Sequence, residues 1–257
     1  MPPGSVAWRV GSEGALLLGG GRALILQVAH PQVAAGVAQH SNYRESPWRR
    51  LYRTIEITTR IVFGDQRESA EAAEALGRRH QRVVGRDDRG RSYRALDPEL
   101  LMWVYATLID SSLLIYDRYL RRLREGEMAL YYEQMEPVAD AYGIPREARP
   151  PDWVAFRDYW DEMLLSGLRV TETARDVAAS VLKPDLPLLA RPPALPAVEA
   201  LRLVTVGTLP VSLREELGLS WGPLRERLLS SSELAIRQLL PRLPRAIRSF
   251  PAARRAA

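Results

Sequence analysis

"DPELLMWVYATLIDSSLLIY", residues 97–116, reads as one long helix from its first residue. Asp97 stands where an N-cap belongs, Pro98 occupies the first helical position and Glu99 the first turn, where its charge opposes the helix dipole. Leu101, Val104, Tyr105, Leu108, Leu113 and Tyr116 then follow a helical stripe. The same periodicity recurs on both sides of this stretch, while alternating β-branched runs are lacking. Helices are expected over 13–29 (limited by Pro31), 46–63 (Pro47 in its first turn) and 67–84 (stopped by Gly85). Further ones fit 125–142, 152–168, 171–182, 197–217 and 221–242. Gly19–Gly20–Gly21 predicts a close backbone approach or a kink; no strand precedes it, so it is not a dinucleotide fingerprint.

Between the helices, 85–95 is turn-rich and is expected to form at most a short hairpin. The proline-rich 183–197 is expected to cross the molecule in extended form, and a basic, frayed tail is expected from about 245. The fold class is therefore all-α: a multi-helix bundle forming a single domain over 1–257.

Composition narrows the chemistry. The 257 residues, 46% of them apolar, suffice for a substantial core. There is no cysteine, which removes disulfides, thiolate ligands, iron–sulfur clusters and a cysteine nucleophile. A protein-bound metal must use His, carboxylate, Tyr or Met. The net charge is +5, and Lys183 is the one lysine, so no Walker-type phosphate loop exists. The arginine clusters are scattered and match no nucleic-acid motif, so no nucleic-acid partner is expected. No apolar run approaches the ~20 residues of a membrane span, and the N-terminus does not read as a signal peptide. A cytoplasmic protein without a transmembrane segment is the expectation; the oligomeric state is not readable.

Three histidines are present. His30 and His40 are ten apart, not the four that sets two ligands on one helix face. No pattern matches a zinc protease, a di-iron carboxylate centre or a serine nucleophile elbow. Glu68, Glu71 and Glu74 are spaced as a solvated face. His80 follows Arg78 and Arg79 and precedes Arg82, cations that lower its proton affinity. It is either an exposed histidine on a basic face or a neutral imidazole suited to a metal. On the 46–63 helix, Arg50, Arg53 and Thr54 share one face, beside a mostly apolar strip of Leu51, Ile55, Thr58 and Val62. That face suits an anion or a polar oxygen species; it equally suits ion pairing with Glu56 and Glu45.

The run "GGGRALILQVAHPQVAAGVAQHSNYRESPWRRLYRTIEITTRIVFGD", 19–65, resembles the catalytic domain shared by bacterial rubber oxygenases (latex-clearing proteins) and the fungal ER-bound terpenoid oxygenases of mycophenolic acid synthesis. The likeness continues through "HQRVVG" (80–85), "YRALDPELLMWVYATLIDS" (93–111) and "LPVSLREELGLSW" (209–221). It implies an all-α protein holding haem b, with His80 as the proximal iron ligand and Arg79 among the propionate partners. It places Arg50, Arg53 and Thr54 in the distal catalytic motif, and His40, Arg44 and Tyr105 around the cofactor. Dioxygen and an apolar, isoprenoid or other alkene-like small molecule are the implied reactants, with double-bond cleavage or hydroxylation as the reaction. The alternative is a non-enzymatic haem- or lipophile-binding helical protein. Two positions depart from the pattern: Arg53 stands where rubber oxygenases have lysine, and Tyr105 where many relatives have histidine.

Overall fold

The computed structural model describes residues 2–41, 47–183 and 191–256, and for 47–54 and 191–194 the backbone alone. The described residues are mostly helical, with one small hairpin among them. Helix α1 (Val6–Gly11) and a 3₁₀ segment (Gly14–Gly19) lead into α2 (Gly20–Ala29) and α3 (Pro31–His40). The helix pair α4 (Pro47–Phe63) and α5 (Gln66–His80) follows, then strands β1 (Val84–Arg86) and β2 (Ser92–Arg94). After α6 (Pro98–Tyr119) come α7 (Glu125–Gln134), α8 (Glu136–Ala141), α9 (Trp153–Glu162) and α10 (Glu172–Leu182). The chain ends with α11 (Arg191–Thr208), α12 (Val211–Glu216), α13 (Pro223–Leu239), α14 (Arg245–Arg248) and α15 (Pro251–Arg255).

Helix α6 is the axle of the bundle. It starts at Pro98 as expected, although the Asp97 carboxylate accepts from the Arg94 backbone N–H (2.8 Å) rather than from the helix it precedes. It is long and apolar enough to cross a membrane by length and composition, but 67% of its most apolar window is buried against other helices. Trp103, Ile109 and Ile115 are fully enclosed. Burying such side chains stabilises the fold by roughly 1.5–3 kcal/mol each before entropy is counted.

The triple glycine works by close approach. A Cβ on Gly21 would lie 2.5 Å from the Thr205 hydroxyl of α11, and one on Gly19 would lie 2.9 Å from Ile115 of α6. From the same helix, the buried Arg22 pairs with Asp110 (2.6 Å) and donates to Ser111 Oγ (2.7 Å) and the Thr208 carbonyl (2.8 Å). Its guanidinium also sits 5.6 Å from the Trp160 ring. One side chain thus ties α2 to α6, α9 and α11. Removing Asp110 would leave the buried Arg22 charge without its carboxylate, at a cost of about 3–5 kcal/mol, whereas Asp110 without Arg22 would keep Arg157 at 3.6 Å.

Several boundaries differ from the sequence expectation. Helix α5 stops at His80, not at Gly85, because Val84–Arg86 pair in antiparallel register with Ser92–Arg94. The 125–142 helix breaks into α7 and α8 around Met135, with Pro137 in the first turn of α8. The 152–168 helix passes into a π turn at Met163–Gly167. Residues 184–190 of the proline-rich stretch lie outside the described residues, and from Arg191 the chain is already helical. The stretch from 245, read as a frayed tail, carries α14 and α15; Ala253 is buried and Phe250 N–H donates to Ser12 O (2.9 Å).

Candidate functional site

The predicted residues Arg50, Arg53, Thr54 and His80 are carried by two successive helices, α4 and α5, which pack against each other. Asp65 caps α5 by accepting from Glu68 N–H (2.7 Å), and Ser69 Oγ donates to Ile61 O (3.1 Å), so α5 returns along α4 after the Gly64–Asp65 turn. At 1.5 Å per residue, the 14 steps from Gln66 to His80 and the 13 from Phe63 back to Arg50 span about 20 Å each. The last turn of α5 is therefore level with the first turns of α4. Arg50, Arg53 and Thr54 lie on those turns, but their side chains are outside the described residues, and Arg44 lies outside altogether.

His80 belongs to the inner stripe of α5. Ser69, Ala72, Ala73, Leu76 and His80 recur at helical spacing and are buried or half-buried, while Glu68, Glu71, Glu74 and Arg79 are exposed. Its ring makes no hydrogen bond among the described residues. Burial, and then the charge of Arg79, lower its proton affinity, so the imidazole is neutral near pH 7. Arg78 is paired with Glu74, whereas Arg79 makes no ion pair among the described residues. His40 is exposed, and its Nε2 lies 3.0 Å from Val84 O, tying α3 to the hairpin.

Adjacent to this pair is a cavity of about 170 Å³ between α1, α2, α4, α6, α7 and α8. The lower half of α4 supplies Ile55, Thr58, Thr59 and Val62, the continuation of the apolar strip read from sequence. Neither His80 nor any charged side chain lines it among the described residues. Tyr105 is one of its walls, and its hydroxyl donates to Met135 O (2.9 Å). Burial pushes the Tyr105 phenol well above its ordinary range, so it stays neutral. Thr58 Oγ1 and Tyr142 OH lie 3.1 Å apart, and Tyr131 bonds Ser112. Tyr131, Tyr142 and Phe250 had no sequence signal. They arrive through long-range packing, with 84 positions separating Thr58 from Tyr142.

A haem needs one axial side chain because the porphyrin supplies the other four nitrogens. The cavity does not suit the whole group: it is small, and among the described residues no cation in its walls faces the propionates. The donor set on α5 suits it better, being a half-buried neutral imidazole with a guanidinium beside it that makes no ion pair among the described residues. Among the described residues, no three His, Asp or Glu side chains converge on a protein-only metal site.

The model of the ER-bound oxygenase mpaB/B′ and rubber oxygenase catalytic domain matches residues 8–241, and the chain belongs to that family. It is 28% identical over 235 residues to two uncharacterised mycobacterial proteins, Mb2261 of Mycobacterium bovis and Rv2237 of Mycobacterium tuberculosis. The alignment covers 85% of this chain and 87% of each relative. No solved structure matches it.

Proposed function

We propose that this protein is a haem-dependent oxygenase acting with dioxygen on an apolar, alkene-like small molecule. Its family supports oxygenase chemistry. The observation that carries the haem reading is His80: a neutral imidazole on the inner stripe of α5, level with the turns that bear Arg50, Arg53 and Thr54. When bound, haem b would supply the iron that activates dioxygen. His80 would hold it from one side, and Arg79 would meet a propionate, for which a guanidinium offers paired donors. On the resemblance, Arg53 and Thr54 would be the hydrogen-bond donors on the side of the cofactor opposite His80. Arg53 acts only as a donor, since a guanidinium keeps its protons and has no lone pair for iron. The apolar cavity below these turns excludes water from the substrate.

Tyr105 gives the alternative its weight. With its proton committed to Met135 O, it cannot replace the imidazole found in many relatives, so a non-catalytic haem- or lipophile-binding protein is the second reading. The test is the visible spectrum of the full-length purified protein, followed by oxygen uptake with an alkene. A Soret band with alkene-dependent uptake is expected. A Soret band without uptake supports the second reading, and a colourless protein that takes up no added haem overturns both haem readings.

A further inference from the structure

We propose that the α2–α4–α6–α7 cavity is a subsite for a compact, uncharged, ring-sized alcohol or ketone. The statement that this molecule is a substrate rests on the oxygenase reading above; the statement that it binds does not.

Size is the first argument. The cavity measures about 170 Å³. That is close to an engineered 150 Å³ cavity that takes benzene, and below the roughly 300–1,000 Å³ of drug-sized pockets. The enclosed part therefore holds about seven to eleven non-hydrogen atoms of a guest. A long polyisoprene or fatty chain would leave most of its length outside it.

Charge is the second. No Arg, Lys, His, Asp or Glu lines the cavity among the described residues. Burial raises the Tyr131 phenol to about 12 and moves Tyr105 and Tyr142 in the same direction, so the wall carries no phenolate at neutral pH. Among the described residues a carboxylate or diphosphate would find no charged partner in this wall to offset its desolvation.

The third argument is the placement of hydroxyls. The walls are otherwise mostly aliphatic and aromatic, but Thr58 and Tyr142 put two hydroxyl oxygens 3.1 Å apart on one side. If one donates to the other, that bond uses one of the pair's two protons. The pair thus offers one polar spot in an otherwise mostly apolar wall, enough for one oxygen of a guest. A hydrocarbon alone would leave it unused, and a multiply polar guest would bury unmatched groups elsewhere.

Isothermal titration calorimetry on the full-length protein tests this with four probes: camphor, toluene, decanoate and squalene. Camphor is expected to bind, toluene more weakly, and decanoate and squalene not measurably. Thr58→Val keeps the shape and removes the hydroxyl; it should weaken camphor about tenfold and leave toluene unchanged. Tyr142→Phe should shift camphor in the same direction, and serves as the second arm if Thr58→Val fails to fold. Leu24→Trp, which fills the cavity from α2, should abolish both ligands while circular dichroism stays helical. The proposal is overturned if decanoate or squalene binds as tightly as camphor. It is equally overturned if camphor does not bind, or if the folded hydroxyl variants bind it unchanged. Heat is read without reference to haem, so the two readings fail separately. A colourless protein that binds camphor defeats only the haem reading, and a red one that ignores camphor defeats only this one.

Discussion

His30 and His80 both have lowered proton affinity, and burial is the leading cause in each. Their surroundings differ. His30 sits at the joint of α2 and α3, its backbone N–H donating to Gln27 O (3.2 Å), under a hairpin turn whose Arg91 and Asp87 act on it in opposite directions. Its Nδ1 is buried without a hydrogen-bond partner among the described residues. His80 lies at the end of α5, half-buried, with no hydrogen bond to its ring among the described residues and the charge of Arg79 beside it. A depressed proton affinity therefore reports burial; what the ring faces decides whether it can serve a ligand.

The largest expected contrast follows from that. His80→Ala should lose the Soret band, or weaken haem affinity severely, while far-ultraviolet circular dichroism keeps its helical signal. His30→Ala should keep the band. The reverse pattern would transfer the ligand role to the α2–α3 joint and break the comparison.

The second contrast is in acid stability. The His30 imidazole is held at about 4, below its ordinary value of 6.5. Between these values the unfolded chain binds a proton that the folded protein refuses. The stability associated with His30 is thus complete above about 6.5 and is lost as the pH falls toward 4, by on the order of 3 kcal/mol. His80 adds in the same direction. Denaturant midpoints measured from pH 7 to 4.5 should fall more steeply for the native protein than for His30→Asn. Parallel slopes would mean that the folded protein protonates this ring as readily as the unfolded chain does.

What the sequence could and could not reveal divides along similar lines. Local signals predicted α6, its start at Pro98 and the short hairpin, because each depends on neighbours within a few positions; the triple glycine signalled a close approach but not its distant partners, Thr205 and Ile115. The inward face of His80 was readable only as one of two options, since composition alone does not say which stripe of α5 is covered. The end of α5 was missed because pairing of Val84–Arg86 with 92–94 overrides helical propensity. The folding of the C-terminal segment was missed because it depends on partners far away in sequence. Ser249 bridges Glu13, and Phe250 reaches the cavity. The hydroxyl pair escaped for the same reason: half of it, Tyr142, follows α8, and nothing near it in sequence points to Thr58.

The smallest effect is expected at His40, the histidine that the resemblance places near the cofactor. The structure gives it one clear task, an Nε2 contact of 3.0 Å with Val84 O. Both residues are exposed, Val84 by 49%, so water can take over the carbonyl when the ring is removed. The joint is also redundant. Gln39 Nε2 donates to Arg86 O (2.8 Å), and Tyr93 OH donates to Gln39 Oε1 (2.8 Å), so α3 stays fastened to the hairpin. His40→Ala should therefore cost about 0.5–1 kcal/mol in a denaturant titration and leave the Soret band in place. A cost above about 2 kcal/mol would exceed what one solvated hydrogen bond provides. A lost band with stability unchanged would move His40 into the cofactor's surroundings and give the His30–His80 comparison a third member.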